Sequence, residues 1–164
     1  MPGELLHGLP AIEQGSPRTL VLGNMPSVMS LASGQYYGNP RNAFWPITAK
    51  VLGFDATDPY EDRVAALIGH DIAVWDVLRS CRRAGSLDSA VERDSMVAND
   101  FGVFLRERPQ IGRLLFNGAA AEANYRRLVP DAPPVPSIRL PSTSPAHTMP
   151  FVDKLAHWRT ALCA

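Results

Sequence analysis

Short apolar runs and helical repeats alternate along the chain. Residues 18–23, Arg-Thr-Leu-Val-Leu-Gly, read as a buried strand that a glycine ends and feeds into a loop. Residues 71–75 (Asp-Ile-Ala-Val-Trp), 113–116 (Arg-Leu-Leu-Phe) and 137–140 (Ser-Ile-Arg-Leu) repeat the pattern and predict three more strands. Helical spacing fills the intervals. It predicts a helix over 42–52, with Pro46 in its first turn and Gly53 behind it, and another over 61–68 with Asp58 as cap and Pro59 as first position. Further helices are predicted over 99–108, with Phe101, Phe104 and Leu105 on one face and Pro109 as the stop, over the alanine-rich 119–128, and over 151–162. Asn117-Gly118 reads as a turn and 131–136 as an extended connector. The sum is an α/β fold, a three-layer α/β/α arrangement with a central four-stranded, mostly parallel sheet. A length of 164 residues suits one domain over 1–164.

Ligands of such sheets bind outside the carboxyl ends of the strands. Those ends carry 23–42, 76–83, 117–118 and 141–147. Lys+Arg and Asp+Glu each total 16, so the formal charge is zero, which argues against a partner held by bulk electrostatics. Residues 19–40 carry no charge, yet glycines, prolines and amides interrupt them; they read as a donor-rich loop, not a membrane span. The N-terminus lacks the pattern of a signal peptide, and the two cysteines, Cys81 and Cys163, are too few for a disulfide framework or cluster, so a cytoplasmic setting is expected. No Gly-x-Gly-x-x-Gly or phosphate-loop pattern follows a strand and no metal spacing occurs, so neither cofactor nor metal is expected. A serine hydrolase is disfavoured: no Gly-x-Ser-x-Gly elbow exists, and Ser144 lies three residues from His147 in a proline turn.

Three constellations remain. Gly-Asn-Met-Pro-Ser at 23–27, with Gly-Gln-Tyr-Tyr-Gly-Asn-Pro-Arg-Asn-Ala-Phe-Trp at 34–45, combines a tight backbone with amides, hydroxyls and adjacent aromatics, the ingredients of a pocket for a flat heterocycle. The alternative is a structural loop whose tyrosines plug the core. Leu-Pro-Ser-Thr-Ser-Pro-Ala-His at 140–147 is a rigid, hydroxyl-rich turn suited to phosphate oxygens, or an ordinary capped turn. Asp76, ending an apolar strand, could accept a hydrogen bond from a ligand N–H or could partner Arg79 or Arg82; Arg79, Arg82 and Arg83 could meet phosphate or form a solvated face.

Together these segments resemble the uracil-DNA glycosylase superfamily, and within it the hypoxanthine-DNA glycosylase branch: 23–27 and 36–45 look like its first motif and extension, 140–147 like its second. Residues 72–81 and 85–89 also look like that branch. The resemblance implies a monofunctional enzyme, without lyase activity, that flips a deaminated base out of double- or single-stranded DNA and excises it, acting as a monomer. Tyr37 matches the aromatic that stacks on the base; Ser142 matches the second motif's serine, and Thr143, Ser144 and Pro145 its wedge region, with Arg41 and His147 added as DNA contacts. Many members place a water-positioning Asp or Asn where this chain has Met25, so the catalytic amide falls to Asn42, or second to Asn39, and Met25 goes to the base pocket. Asp76 stands where uracil enzymes present an asparagine, and Leu140 where many have His or Asn. An ionised Asp76 could accept from N1–H of hypoxanthine while Asn24 or a backbone N–H donates to O6 or N7. Lys50 and Lys154 are expected on helices away from the strand ends, so no Schiff base is expected. Uracil or xanthine excision, a non-catalytic reader stacking bases on Tyr36 and Tyr37, and a small-molecule hydrolase are the alternatives.

Overall fold

Residues 19–23 alternate between two cores, and that period of two builds three layers. The computed structural model describes residues 3–164. In it, β2 (Thr19–Gly23) sends Leu20 and Leu22 to one face and Val21 to the other. Its neighbours do the same: β3 (Ile72–Asp76) divides Ala73 from Ile72 and Val74, and β6 (Arg113–Asn117) divides Leu114 and Phe116 from Leu115. The first face is covered by α4 (Phe101–Glu107) and α5 (Ala119–Leu128) through Phe101, Phe104, Leu105 and Ala121. The second is covered by α2 (Phe44–Leu52), α3 (Tyr60–Gly69) and α6 (Phe151–Leu162) through Phe44, Ile47, Leu67 and Trp158.

With β7 (Ser137–Leu140), the central sheet has the order β3-β2-β6-β7 and every pairing is parallel, as the alternation of strands and helices implied. The chain leaves β2 toward β3 on one side and later returns to β6 on the other, so the strand order reverses at β2 and opens a crevice at the carboxyl edge. Register sets what stands there. Gly23 pairs with Asp76, Leu22 with Phe116, and Asn117 with Leu140, which brings the chain-distant Gly23, Asp76, Asn117 and Leu140 to one edge. The free side of β3 is covered at Val74 by a reciprocal backbone pair with Ile12.

Several elements differ from the expectation. A second, antiparallel sheet, β1-β4-β5, is formed by β1 (Glu4–His7), β4 (Leu78–Arg83) and β5 (Val97–Ala98), so the polar, basic stretch after Trp75 is itself a strand. The donor-rich loop contains the short helix α1 (Val28–Ser33), which the Ser27 hydroxyl caps and Gly34 ends with φ +69°. Asn117 is the last residue of β6 and not a turn, and Gly118 alone makes the bend at φ +98°. At α3 the cap position is Pro59 without a side-chain bond; Asp58 lies outside and its carbonyl accepts from Arg63 Nε. The helix expected from 99 begins at Phe101, because Asp100 caps it and Asn99 is drawn to the carbonyl of Asp76. Among the described residues, no helix is long and apolar enough to cross a membrane.

Candidate active site

A cavity of about 350 Å³ opens at the carboxyl edge, between the loops that follow β2, β4, β6 and β7. Its floor is made by close approach. A Cβ on Gly23 would lie 2.4 Å from Asp76 Oδ1 and 3.3 Å from the Tyr37 hydroxyl, so only glycine lets those groups flank the end of β2. Asp76 is 4% exposed, and its Oδ2 has no hydrogen-bond partner among the described residues. Burial pushes its carboxyl from 3.8 up to about 7; Asp88 adds to the rise and Arg83 opposes it. The shift brings the acid form, which the sequence reading did not assign, within reach near neutral pH, and in that form the group donates as well as accepts.

Tyr37 forms a wall. Its backbone is left-handed (φ +54°), and its ring stacks on Phe44 with centroids 4.1 Å apart and 24° between planes. Burial and the field of Asp76 raise the phenol above its usual range, so the hydroxyl keeps its proton. Tyr36 serves the core: its hydroxyl donates to the carbonyl of Leu9, its own carbonyl accepts from Trp45 Nε1, and its ring is tilted 48° from that of Tyr37, so the pair forms no flat platform.

Asn117, which the sequence reading left outside the site, ties the wall to the rim. Its Oδ1 accepts from the Thr143 N–H at 2.9 Å, while its Nδ2 donates to Thr143 Oγ1 at 2.9 Å and to the Tyr37 hydroxyl at 3.2 Å. A polar residue ending an apolar strand was the available signal. Asp88 lies in the 85–89 segment that resembles the branch, but the sequence assigns it no role. The turn it occupies is exposed, but its Oδ1 accepts from Asn24 Nδ2 at 3.1 Å on the cavity wall. Asn24 in turn accepts from Asn124 Nδ2 at 2.8 Å, which fixes the orientation of its amide. Met25 is buried in the same wall.

Both candidate water-positioning amides line the cavity, and each also shapes its own loop. Asn42 Oδ1 accepts from the Phe44 N–H and Asn39 Oδ1 from the Arg41 N–H, each at 2.9 Å. One lone pair of each oxygen is thus used, and a second remains. Arg41 itself is exposed and lies outside the cavity lining.

The loop at 142–147 divides by direction. Ser142, Ser144 and His147 line the cavity on its accessible side, and the two serine hydroxyls accept from the N–H groups of Ser144 and Ala146. Thr143, expected among the DNA contacts, is instead 1% exposed and locked onto Asn117, because its N–H and hydroxyl complete that amide's bonds. Pro145 is half-buried and does not line the cavity. Lys154 corrects a second expectation: it is buried and reaches the loop, donating from Nζ to the Ser144 carbonyl at 3.0 Å. Arg83, grouped above with Arg79 and Arg82, is also buried, donating to the carbonyls of Gly85 and Pro26 at 2.6 and 2.7 Å.

No family model matches the chain. Two curated relatives do. A hypoxanthine DNA glycosylase of Methanosarcina acetivorans is 34% identical over 116 residues, covering 70% of this chain and 72% of the relative. A hypoxanthine DNA glycosylase of Methanosarcina barkeri is 31% identical over 113 residues, covering 68% and 70%. Among solved structures, a candidate uracil DNA glycosylase from Methanosarcina acetivorans, determined by solution NMR, superposes with a TM-score of 0.78 at 28% identity over 97% of both chains. A parallel sheet of the same design, a cavity at its carboxyl edge and these identities agree: the chain belongs to the hypoxanthine-DNA glycosylase branch of the uracil-DNA glycosylase superfamily.

Proposed function

We propose that this protein is a monofunctional DNA glycosylase that flips a deaminated base, hypoxanthine foremost, into the cavity at the carboxyl edge and hydrolyses its bond to deoxyribose. The observation that carries the reading is the pairing of an aromatic wall, Tyr37 backed by Phe44, with a floor holding the unpartnered carboxyl of Asp76. Such a wall stacks on a flat ring, and the protonated carboxyl complements a lactam edge, its O–H donating to O6 of hypoxanthine while its carbonyl accepts from N1–H. Uracil and xanthine carry lactam edges too, which makes them the competing substrates.

In the reaction, a water held by the remaining lone pair of Asn42, with Asn39 beside it, attacks C1′ as the N9–C1′ bond breaks. The bonding electrons leave with the base, and a fixed O–H on O6 stabilises the charge that develops there. The water's proton passes to the released base. Arg41, Ser142, Ser144 and His147 would hold the flanking phosphates from the exposed rim. Lys154 Nζ is committed to the Ser144 carbonyl and does not line the cavity, which supports hydrolysis without a Schiff base or strand cleavage.

The test is single-turnover excision on end-labelled duplexes carrying one inosine, xanthine or uracil, and on the single strand carrying inosine, with and without alkali. Cleavage is expected only after alkali and fastest at inosine. Tight binding with no excision at any base would instead identify a non-catalytic reader of damaged DNA.

A further inference from the structure

The rim of the cavity includes the turn at 84–90, and Leu87 stands there with 55% of its surface in solvent. A single exposed leucine is ordinary on a protein surface. This one is distinguished by its mount. On one side, Arg83 holds the Gly85 carbonyl and ties it to the Pro26 carbonyl of the loop after β2. Ser86 Oγ accepts from the Val28 N–H at 2.9 Å, and Asp88 Oδ1 accepts from Asn24 on the far side of the leucine. Gly85 makes the entry bend at φ +73°, and the Leu87 carbonyl accepts from the Ala90 N–H to close the short helical turn behind it. A large apolar side chain is thus held out at the mouth by bonds on both sides, so little ordering remains to be done when it is buried. Val28, whose N–H is bonded to Ser86, and Met29 after it are also exposed apolar residues at the start of α1. The 142–147 loop offers no comparable group: it reads Ser-Thr-Ser-Pro-Ala-His, its threonine faces inward and its proline is half-buried.

We propose that Leu87 is the wedge of this enzyme, entering the duplex stack as the lesion base moves into the cavity and filling the space it leaves. The assignment rests on the glycosylase reading above. A flipped base leaves its former neighbours unstacked, and an apolar side chain in the gap restores contact and slows return of the base. Inside a region that is already unpaired there is no intact stack to hold open, so the wedge matters less.

The experiment compares wild type with Leu87→Ala and Leu87→Met on one duplex, with inosine either paired or placed within an unpaired bubble. Urea denaturation confirms that this exposed position leaves the fold intact. The ratio of paired to bubble excision rates is expected to fall about tenfold or more in Leu87→Ala, the scale of burying a leucine-sized side chain, and to be largely restored in Leu87→Met. A 2-aminopurine placed next to the lesion should brighten less in the complex with Leu87→Ala than with wild type. If the wild type excises both substrates and the ratio is unchanged in Leu87→Ala, or both rates fall together, the wedge assignment is wrong. Excision of neither by the wild type overturns the glycosylase reading and the wedge with it.

Discussion

Asp76→Asn separates what the fold demands of position 76 from what the reaction demands. Burial at 4% exposure, with one oxygen unpartnered, favours the neutral carboxyl and lifts it from 3.8 to about 7. Each pKa unit corresponds to about 1.4 kcal/mol, so the folded chain prefers the neutral form by ~4 kcal/mol relative to the unfolded chain. Because the folded value is the higher one, this contribution is fully present below pH ~4, declines as pH rises through ~7, and is absent above it. Asparagine has the same shape and never ionises. Urea denaturation of both proteins from pH 4 to pH 9 should therefore give difference curves in which the variant gains several kcal/mol on the wild type between those limits, since titrations of groups that do not couple to Asp76 cancel and only its neighbours, Asp88 first, add to the difference. In excision, the amide imitates the carboxylic acid, its NH2 donating to O6 and its carbonyl accepting from N1–H. The variant should keep most of the low-pH rate and lose the decline that the wild type shows above pH ~7. A flat stability difference would refute the burial argument; loss of excision at every pH, with stability gained, would refute the role of the neutral acid.

Substitutions at three further positions probe the cavity. Gly23→Ala places a Cβ 2.4 Å from Asp76 Oδ1, and displacing that carboxyl and the Tyr37 ring should slow excision about 100-fold in single-turnover assays. Asn117→Ala removes three hydrogen bonds that hold Thr143 and the Tyr37 hydroxyl and should cost about 2–3 kcal/mol by urea denaturation, with excision reduced as the rim loosens; unaltered stability would mean that water replaces the amide. Asn42→Ala should abolish turnover while binding to an inosine duplex persists, and should cost about 1 kcal/mol through the lost bond to the Phe44 N–H. Asn42→Asp keeps that acceptor and should recover the stability, so a variant as unstable as the alanine one would show that the local turn is not what Asn42 contributes.

The central sheet was legible because its strands are short apolar runs ended by glycine or by polar residues, and their carboxyl ends locate the cavity once the strand order is known. The second sheet was not legible, for a physical reason visible in β4. The residues from Leu78 to Arg83 bury in the order in, out, in, in, out, in, with Ser80 and Cys81 covered in succession, and the pairing with β5 also shifts register between Leu78 and Ser80. An irregular strand with an arginine on its inner side carries no period to read. Helix α1 is six residues long, too short for a periodic signal, and only its caps, Ser27 and Gly34, could mark it.

The candidate site divides in the same way. Gly23, Asn24 and Asp76 end or directly follow predicted strands, so sequence order placed them at the cavity edge, whereas Tyr37 was pointed out by the resemblance of 36–45 to the superfamily's first motif. Asp88 reaches Asn24 across 64 residues and Asn117 reaches Tyr37 across 80, and nothing local announces either contact. The protonation state of Asp76 lies furthest from the sequence. It depends on burial created by the whole sheet edge and on the opposed fields of Asp88 and Arg83, both carried by the β4 strand and turn that the apolar pattern did not reveal. An aspartate read from its neighbours in the chain is an anion and an acceptor. Placed at this edge it becomes a group that can donate, and that difference decides whether the cavity floor merely accepts from N1–H or also donates to O6 of the base that leaves.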